Sequence, residues 1–158
     1  MMRLLKYIRT NWGQFWIAIS EDEGRYWHPY GPSGVDASSA PGALKRLSSG
    51  RIVLVWNRWY PEGKKEVELK GGDCNWSETP VSNFREELSM SFSEDECRSW
   101  SAPVVVARNT GGQISYSSVF EPEPGTIWII SKWTVYKDAK YFREDASLKI
   151  KIEESDFI

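Results

Sequence analysis

One histidine and two cysteines are all the imidazole and thiol groups that this 158-residue chain offers to a transition metal. Cys74 and Cys97 cannot build a four-cysteine zinc site, and His28 has no second histidine with which to form an imidazole site or a catalytic relay. No metal and no cofactor is therefore expected, and His28 reads as a surface turn residue. At most one disulfide can form, and the spacing leaves open whether Cys74 and Cys97 pair. Long apolar runs are missing as well: no stretch approaches the ~20 residues needed to cross a bilayer. Residues 1–10 are basic and partly apolar but have neither the apolar core nor the small-residue cleavage site of a signal peptide. Excess positive charge is absent too, since a net charge of -2 and a pI near 5.6 leave no footprint for nucleic acid. The expectation is a soluble, weakly acidic protein with no nucleic-acid or membrane partner, its compartment left open. Asn75-Trp76-Ser77 fits a glycosylation sequon, which carries weight only in a secreted protein.

Tryptophan, by contrast, is abundant: nine residues, mostly beside turns or within alternating runs. A hydrophobic share of 41% is enough to furnish a core. The chain also repeats itself. Ser20-Glu21-Asp22-Glu23-Gly24-Arg25-Tyr26-Trp27 returns as Ser93-Glu94-Asp95-Glu96-Cys97-Arg98-Ser99-Trp100. Each copy follows an alternating run and precedes Pro29 or Pro103, which predicts a strand, a tight turn and a strand, twice. In such a turn the Ser and Asp oxygens accept hydrogen bonds from backbone N–H groups, and Gly24 supplies a positive φ. The tryptophan is expected to plug the turn onto the sheet. Cys97 stands where the first copy has Gly24, and a non-glycine residue in that conformation costs about 1 kcal/mol, so the second turn is expected to be strained or reshaped.

In chain order, residues 3–9 read as a short helix or a damaged strand, residues 15–19 as a buried strand, and residues 30–42 as a Gly/Pro/Ser loop. Residues 43–47 and 51–58 predict a hairpin about Ser48-Ser49-Gly50. Residues 59–84, rich in Gly, Pro, Lys and Glu, read as a long excursion outside the core. Strands at 87–92 and 103–107 flank the second repeat, so four strands stand in line. Strands at 114–120 and 126–133 follow, joined through Glu121-Pro122-Glu123-Pro124-Gly125, and then one at 148–152. The expected fold is all-β, a partial β-propeller of about three four-stranded antiparallel blades within one domain over 1–158. One blade ends across 11–34, a full one occupies 38–107 with the excursion at 59–84, and a partial one occupies 113–158.

The repeat resembles the Asp-box, Ser-x-Asp-x-Gly-x-Thr-Trp, of sialidase (neuraminidase)-like β-propellers, with Tyr26 in place of Thr in the first copy and Cys97 in place of Gly in the second. Residues 43–58, 85–100 and 115–128 also look like corresponding stretches of that family. The resemblance implies a glycoside hydrolase of exo-α-sialidase type, in which arginines clamp the substrate carboxylate, a tyrosine activated by Glu is the nucleophile and an Asp is the acid/base. Antiparallel strands place alternate loops at opposite ends, so both boxes share one end with Glu121 and Glu123, which read as turn residues. Asn57, Arg58, Arg85 and Tyr116 gather at the other end. Arg58 and Arg85 are the expected clamp for a sialic-acid-like sugar, with Asn57 beside them, and Tyr116 is the expected nucleophile.

The activating Glu has no counterpart near Ala40-Pro41-Gly42, and the blades that would bring the acid/base Asp and a further arginine are not found. Three readings follow. The chain is the C-terminal portion of a sialidase-like hydrolase, inactive alone; or a non-catalytic half-propeller that binds sugar or protein; or a homo-oligomer whose copies complete one another.

Overall fold

The computed structural model describes residues 3–71, 78–136 and 143–157. Cys74 and the sequon Asn75-Trp76-Ser77 lie outside the described residues. The protein is all-β, with 55% of the described residues in strands. In chain order these are β1 Leu4–Ile8, β2 Gln14–Ser20, β3 His28–Asp36, β4 Ala43–Arg46, β5 Ile52–Trp56, β6 Leu69–Lys70, β7 Val81–Ser82, β8 Glu87–Ser93, β9 Val104–Arg108, β10 Gln113–Glu123, β11 Thr126–Tyr136 and β12 Arg143–Glu153. A 3-10 turn, Glu154–Phe157, follows. The chain divides into two compact units, one of Met1–Ala40 with Arg58–Phe84, the other of Pro41–Asn57 with Arg85–Ile158.

The first unit holds the antiparallel sheet β1-β2-β3. Residues 3–9 are thereby settled as a strand: Leu4 lies opposite Ser20 and Ile8 opposite Trp16. Phe15, Ala18 and Ile19 of β2 are buried, and the Phe15 ring lies 5.6 Å from that of Tyr7. The loop expected over 30–42 is corrected, because β3 runs through its Gly and Pro residues. Pro29 and Pro32 are tolerated there since β3 is an edge strand whose register shifts twice against β2.

The excursion expected at 59–84 does lie outside the β4-β5-β8-β9 sheet and groups with the first unit, and of its described residues only Val81 and Ser82 are buried. Its end, β7, pairs with β6, and both its residues are fully buried. The Ser82 carbonyl accepts the Ser39 N–H at 2.8 Å, and its hydroxyl donates to the Trp59 carbonyl at 2.8 Å. Trp59 lies against Gly13, where a Cβ would stand 3.3 Å from its ring. Backbone groups and a small hydroxyl, rather than an apolar stripe, fasten this end of the segment.

The second unit contains the antiparallel sheet β4-β5-β8-β9 and the sheet β10-β11-β12. Their facing sides form one core of Val53, Val55, Leu88, Met90, Phe92, Ile114, Ile127 and Ile129. All five residues of β5 are buried, which is why Ile52-Val53-Leu54-Val55-Trp56 reads as an unbroken apolar run. The hairpin between β4 and β5 closes where expected, with Gly50 at φ 92 donating to the Leu47 carbonyl at 3.0 Å. Glu121 ties this hairpin to the next sheet, accepting from the Ser48 N–H at 2.7 Å and from Gly125 at 2.9 Å.

Candidate functional site

The two repeats fold into the same turn. In the first, the Ser20 hydroxyl donates to Asp22 Oδ1 at 2.8 Å and accepts the Gly24 N–H at 2.8 Å; Asp22 Oδ1 also accepts the Tyr26 N–H at 2.9 Å. In the second, the Ser93 hydroxyl donates to Asp95 Oδ1 at 2.9 Å and accepts the Cys97 N–H at 2.9 Å, while Asp95 Oδ1 accepts the Ser99 N–H at 2.8 Å. Cys97 keeps the left-handed conformation of Gly24, with φ 65 against 87. The second box is therefore strained and not reshaped.

The Ser99 hydroxyl and N–H hold the Asp95 carboxyl at about 2, and the Tyr26 N–H lowers that of Asp22. Both carboxylates are consumed by their own turns. Trp27 and Trp100 are half-buried. Trp27 donates its indole N–H to the Gly24 carbonyl at 3.0 Å, with the Lys6 ammonium 4.2 Å above its ring.

At the other end of β5 and β8 stand three of the four expected site residues. Ile52 pairs with Ser93 at the box end, whereas Trp56 pairs with Ser89, which places Asn57 and Arg85 away from the box. Asn57 is buried, and its amide donates to the carbonyls of Glu87 at 2.7 Å and Ile114 at 2.9 Å. It pins β8 and β10 together and has no N–H left to offer a ligand. The Arg85 carbonyl accepts the Ile114 N–H at 2.7 Å, which fixes Arg85 beside β10.

Tyr116 sits in a bulge of β10, where the register against β11 shifts between Ser115 and Ser118. Its φ is 57 and its side chain is 56% exposed. A left-handed tyrosine inside a strand is strained. The bulge turns its ring outward, 5.6 Å from the Arg85 guanidinium.

Arg58 belongs to the first unit. Its Nε lies 3.6 Å from Asp36 Oδ1, and Asp36 Oδ2 also accepts the Trp59 N–H at 2.9 Å. Asp36 escaped the sequence reading because it falls inside the segment taken for a loop.

Two acids could still serve Tyr116 only if they were uncommitted. Asp145 accepts from Thr134 at 2.6 Å and from Lys132 at 2.8 Å, and Lys132 foremost keeps its pKa low. The Asn109 N–H donates to the backbone carbonyl of Glu86 at 2.8 Å, which fixes the main chain there but does not engage the carboxylate. Among the described residues no cluster of His, Cys, Asp and Glu could hold a metal, and no helix is long and apolar enough to cross a membrane.

A family model described as a BNR repeat-like domain matches residues 1–129. It spans both boxes, β1 through β10 and the opening of β11. No curated protein matches the chain.

Proposed function

Since this chain belongs to the BNR repeat-like domain family, the sialidase-like Asp-box proteins, we propose that its second unit binds a carboxylate-bearing sugar of the sialic-acid type, through Arg85 and Tyr116, without hydrolysing it. The observation that carries this reading is the strained Tyr116 bulge, which holds an exposed ring against a guanidinium. A planar guanidinium matches a carboxylate with two parallel hydrogen bonds, and an aromatic face suits the apolar side of a pyranose. Asn57 contributes by fixing the strands that carry both groups.

Hydrolysis with a tyrosine nucleophile also needs a base for the phenol and an acid for the leaving oxygen. Every described carboxylate with a displaced pKa is displaced downward: Asp22, Asp95, Glu96, Glu121, Asp145 and Glu153. A carboxylate held ionised by its partners is a poor proton donor at neutral pH. Arg58, engaged by Asp36 within the first unit, is not part of this site.

The test is paired. With purified protein, a fluorogenic sialoside should show no turnover above buffer, while saturation-transfer NMR should detect sialic acid binding that Arg85→Ala abolishes and Asp95→Asn preserves. Turnover removed by Tyr116→Phe would overturn the non-hydrolytic reading. Binding that survives Arg85→Ala would overturn the site. A second reading, protein or neutral-sugar binding by the first unit, draws on exposed Trp12 and Tyr30, 62% and 74% accessible, with the Trp12 ring 5.0 Å from that of Trp16 and tilted 58° to it. Substituting Trp12 should leave sialic acid binding intact if the Arg85 site is the relevant one.

A further inference from the structure

Among the described residues β12 pairs only with β11, so its outer side presents a free strand edge. The other sheet edges are blunted or short. β3 carries Pro29, Pro32 and register shifts, β10 carries Pro122 and two register shifts, β9 has five residues and a shift beside it, β1 has five residues and β4 four. β12 has eleven residues, contains neither Pro nor Gly, and follows β11 from Arg143 to Glu153 without a bulge. A long, unbroken edge is a template for another strand, and the charged residues along it restrict which strand can pair.

The side chains of β12 specify which strand that is. One row, Leu148, Ile150 and Ile152, is partly buried against the core, and the other, Arg143, Asp145, Ser147, Lys149, Lys151 and Glu153, faces solvent. We propose that β12 pairs antiparallel with β12 of a second copy about a two-fold axis at Leu148, joining the two β10-β11-β12 sheets into one.

In that register Arg143 meets Glu153 of the other copy, Asp145 meets Lys151 and Ser147 meets Lys149, so no like charges stand opposite each other on the solvent row. On the inner row Leu148 meets its counterpart and Ala146 meets Ile150, extending the apolar strip, with Glu144 opposite Ile152 at its margin. Sliding by two residues sets Lys149 against Lys149 in one direction and Arg143 against Lys151 in the other. Sliding by one residue sets the apolar row against the charged one. Opposite charges directly across a strand pair stabilise it and like charges destabilise it. The charge pattern thus selects a single self-complementary register, as an isologous two-fold interface requires.

Sedimentation equilibrium over a range of concentrations, with hydrogen exchange of the β12 amides, tests this. A concentration-dependent dimer is expected, with β12 amides gaining protection as it forms. Lys151→Asp sets like charges opposite each other twice per dimer and should weaken association about tenfold or more. Adding Asp145→Lys should restore it. Because Asp145 also pairs with Lys132 within the chain, Arg143→Glu alone and then with Glu153→Arg repeats the logic at the ends of the strand, and thermal melts identify any variant that fails to fold. A protein that stays monomeric at every concentration overturns the proposal. So does a dimer indifferent to the single swaps, or one weakened by them in folded variants and not restored by the doubles.

Discussion

A glutamate gains nothing sterically from a φ of 63, yet Glu23 and Glu96 both adopt it, one in each box and each immediately before the position of Gly24 or Cys97. The turn imposes this, because the Ser and Asp oxygens can collect their N–H partners only if the chain curls left-handed twice. Glu23 is exposed, so Glu23→Gly removes strain and little else, and should stabilise the protein by about 1 kcal/mol, read as a higher Tm. Cys97 is held in the same conformation with its thiol buried, and burial foremost pushes its pKa to about 11. Thiolate is the reactive form, and near pH 8 only about one thiol in a thousand would be ionised at such a pKa. In a Cys74→Ser background Cys97 should therefore resist a disulfide reagent until denaturant is added. Rapid labelling of the native protein would show that the thiol is reachable and the burial wrong.

At the scale of the element, the box turn rests on a hydroxyl more than on its tryptophan. Ser93 is buried, and its Oγ is the acceptor for the Cys97 N–H. Ser93→Ala leaves that donor unsatisfied beneath the turn and should cost about 1 to 3 kcal/mol. Trp100 is half-buried, so Trp100→Ala should cost about 2 kcal/mol, less than the 3 to 5 typical of a buried aromatic. Denaturant melts of the two variants compare them directly, and a loss at Trp100 well above that at Ser93 would reverse the assignment. In β10, the bulge at Tyr116 is where sequence reading fell short, because alternation continues through Ile114-Ser115-Tyr116 and gives no sign of the inserted residue.

For the whole molecule, acid is the relevant stress. Ser99 holds Asp95 at about 2 against an ordinary 3.8, and Asp22, Asp145 and Glu153 are lowered through Tyr26, Lys132 and Lys151 respectively. Folded-state values below the unfolded ones mean that stability is complete above the unfolded pKa, near 4, and drains away as pH falls toward 2. All four groups are solvent-exposed, so the loss should be gradual and should shrink in high salt. Urea melts between pH 5 and pH 2 check it, and stability that rises on acidification would contradict the sign.

The sequence by itself determined the all-β class, the family and the box chemistry, and it placed the strand ends of the second unit to within three residues except at β12, which begins at Arg143 rather than at Leu148. Alternation and turn residues are local, and the Ser and Asp of each box lie two positions apart, so these features are written in adjacent letters. It also placed Asn57 and Arg85 at the end opposite the second box, because strand direction follows from connectivity. Only the tertiary structure decided that residues 58–84 return to the first unit and that β3 continues through its prolines at an edge. Only there is Arg58 found held by Asp36, and Asn57 found spent on two carbonyls. Those outcomes rest on partners 22 to 57 positions away, and a hydrogen bond across such a gap leaves no periodicity in the chain to be read.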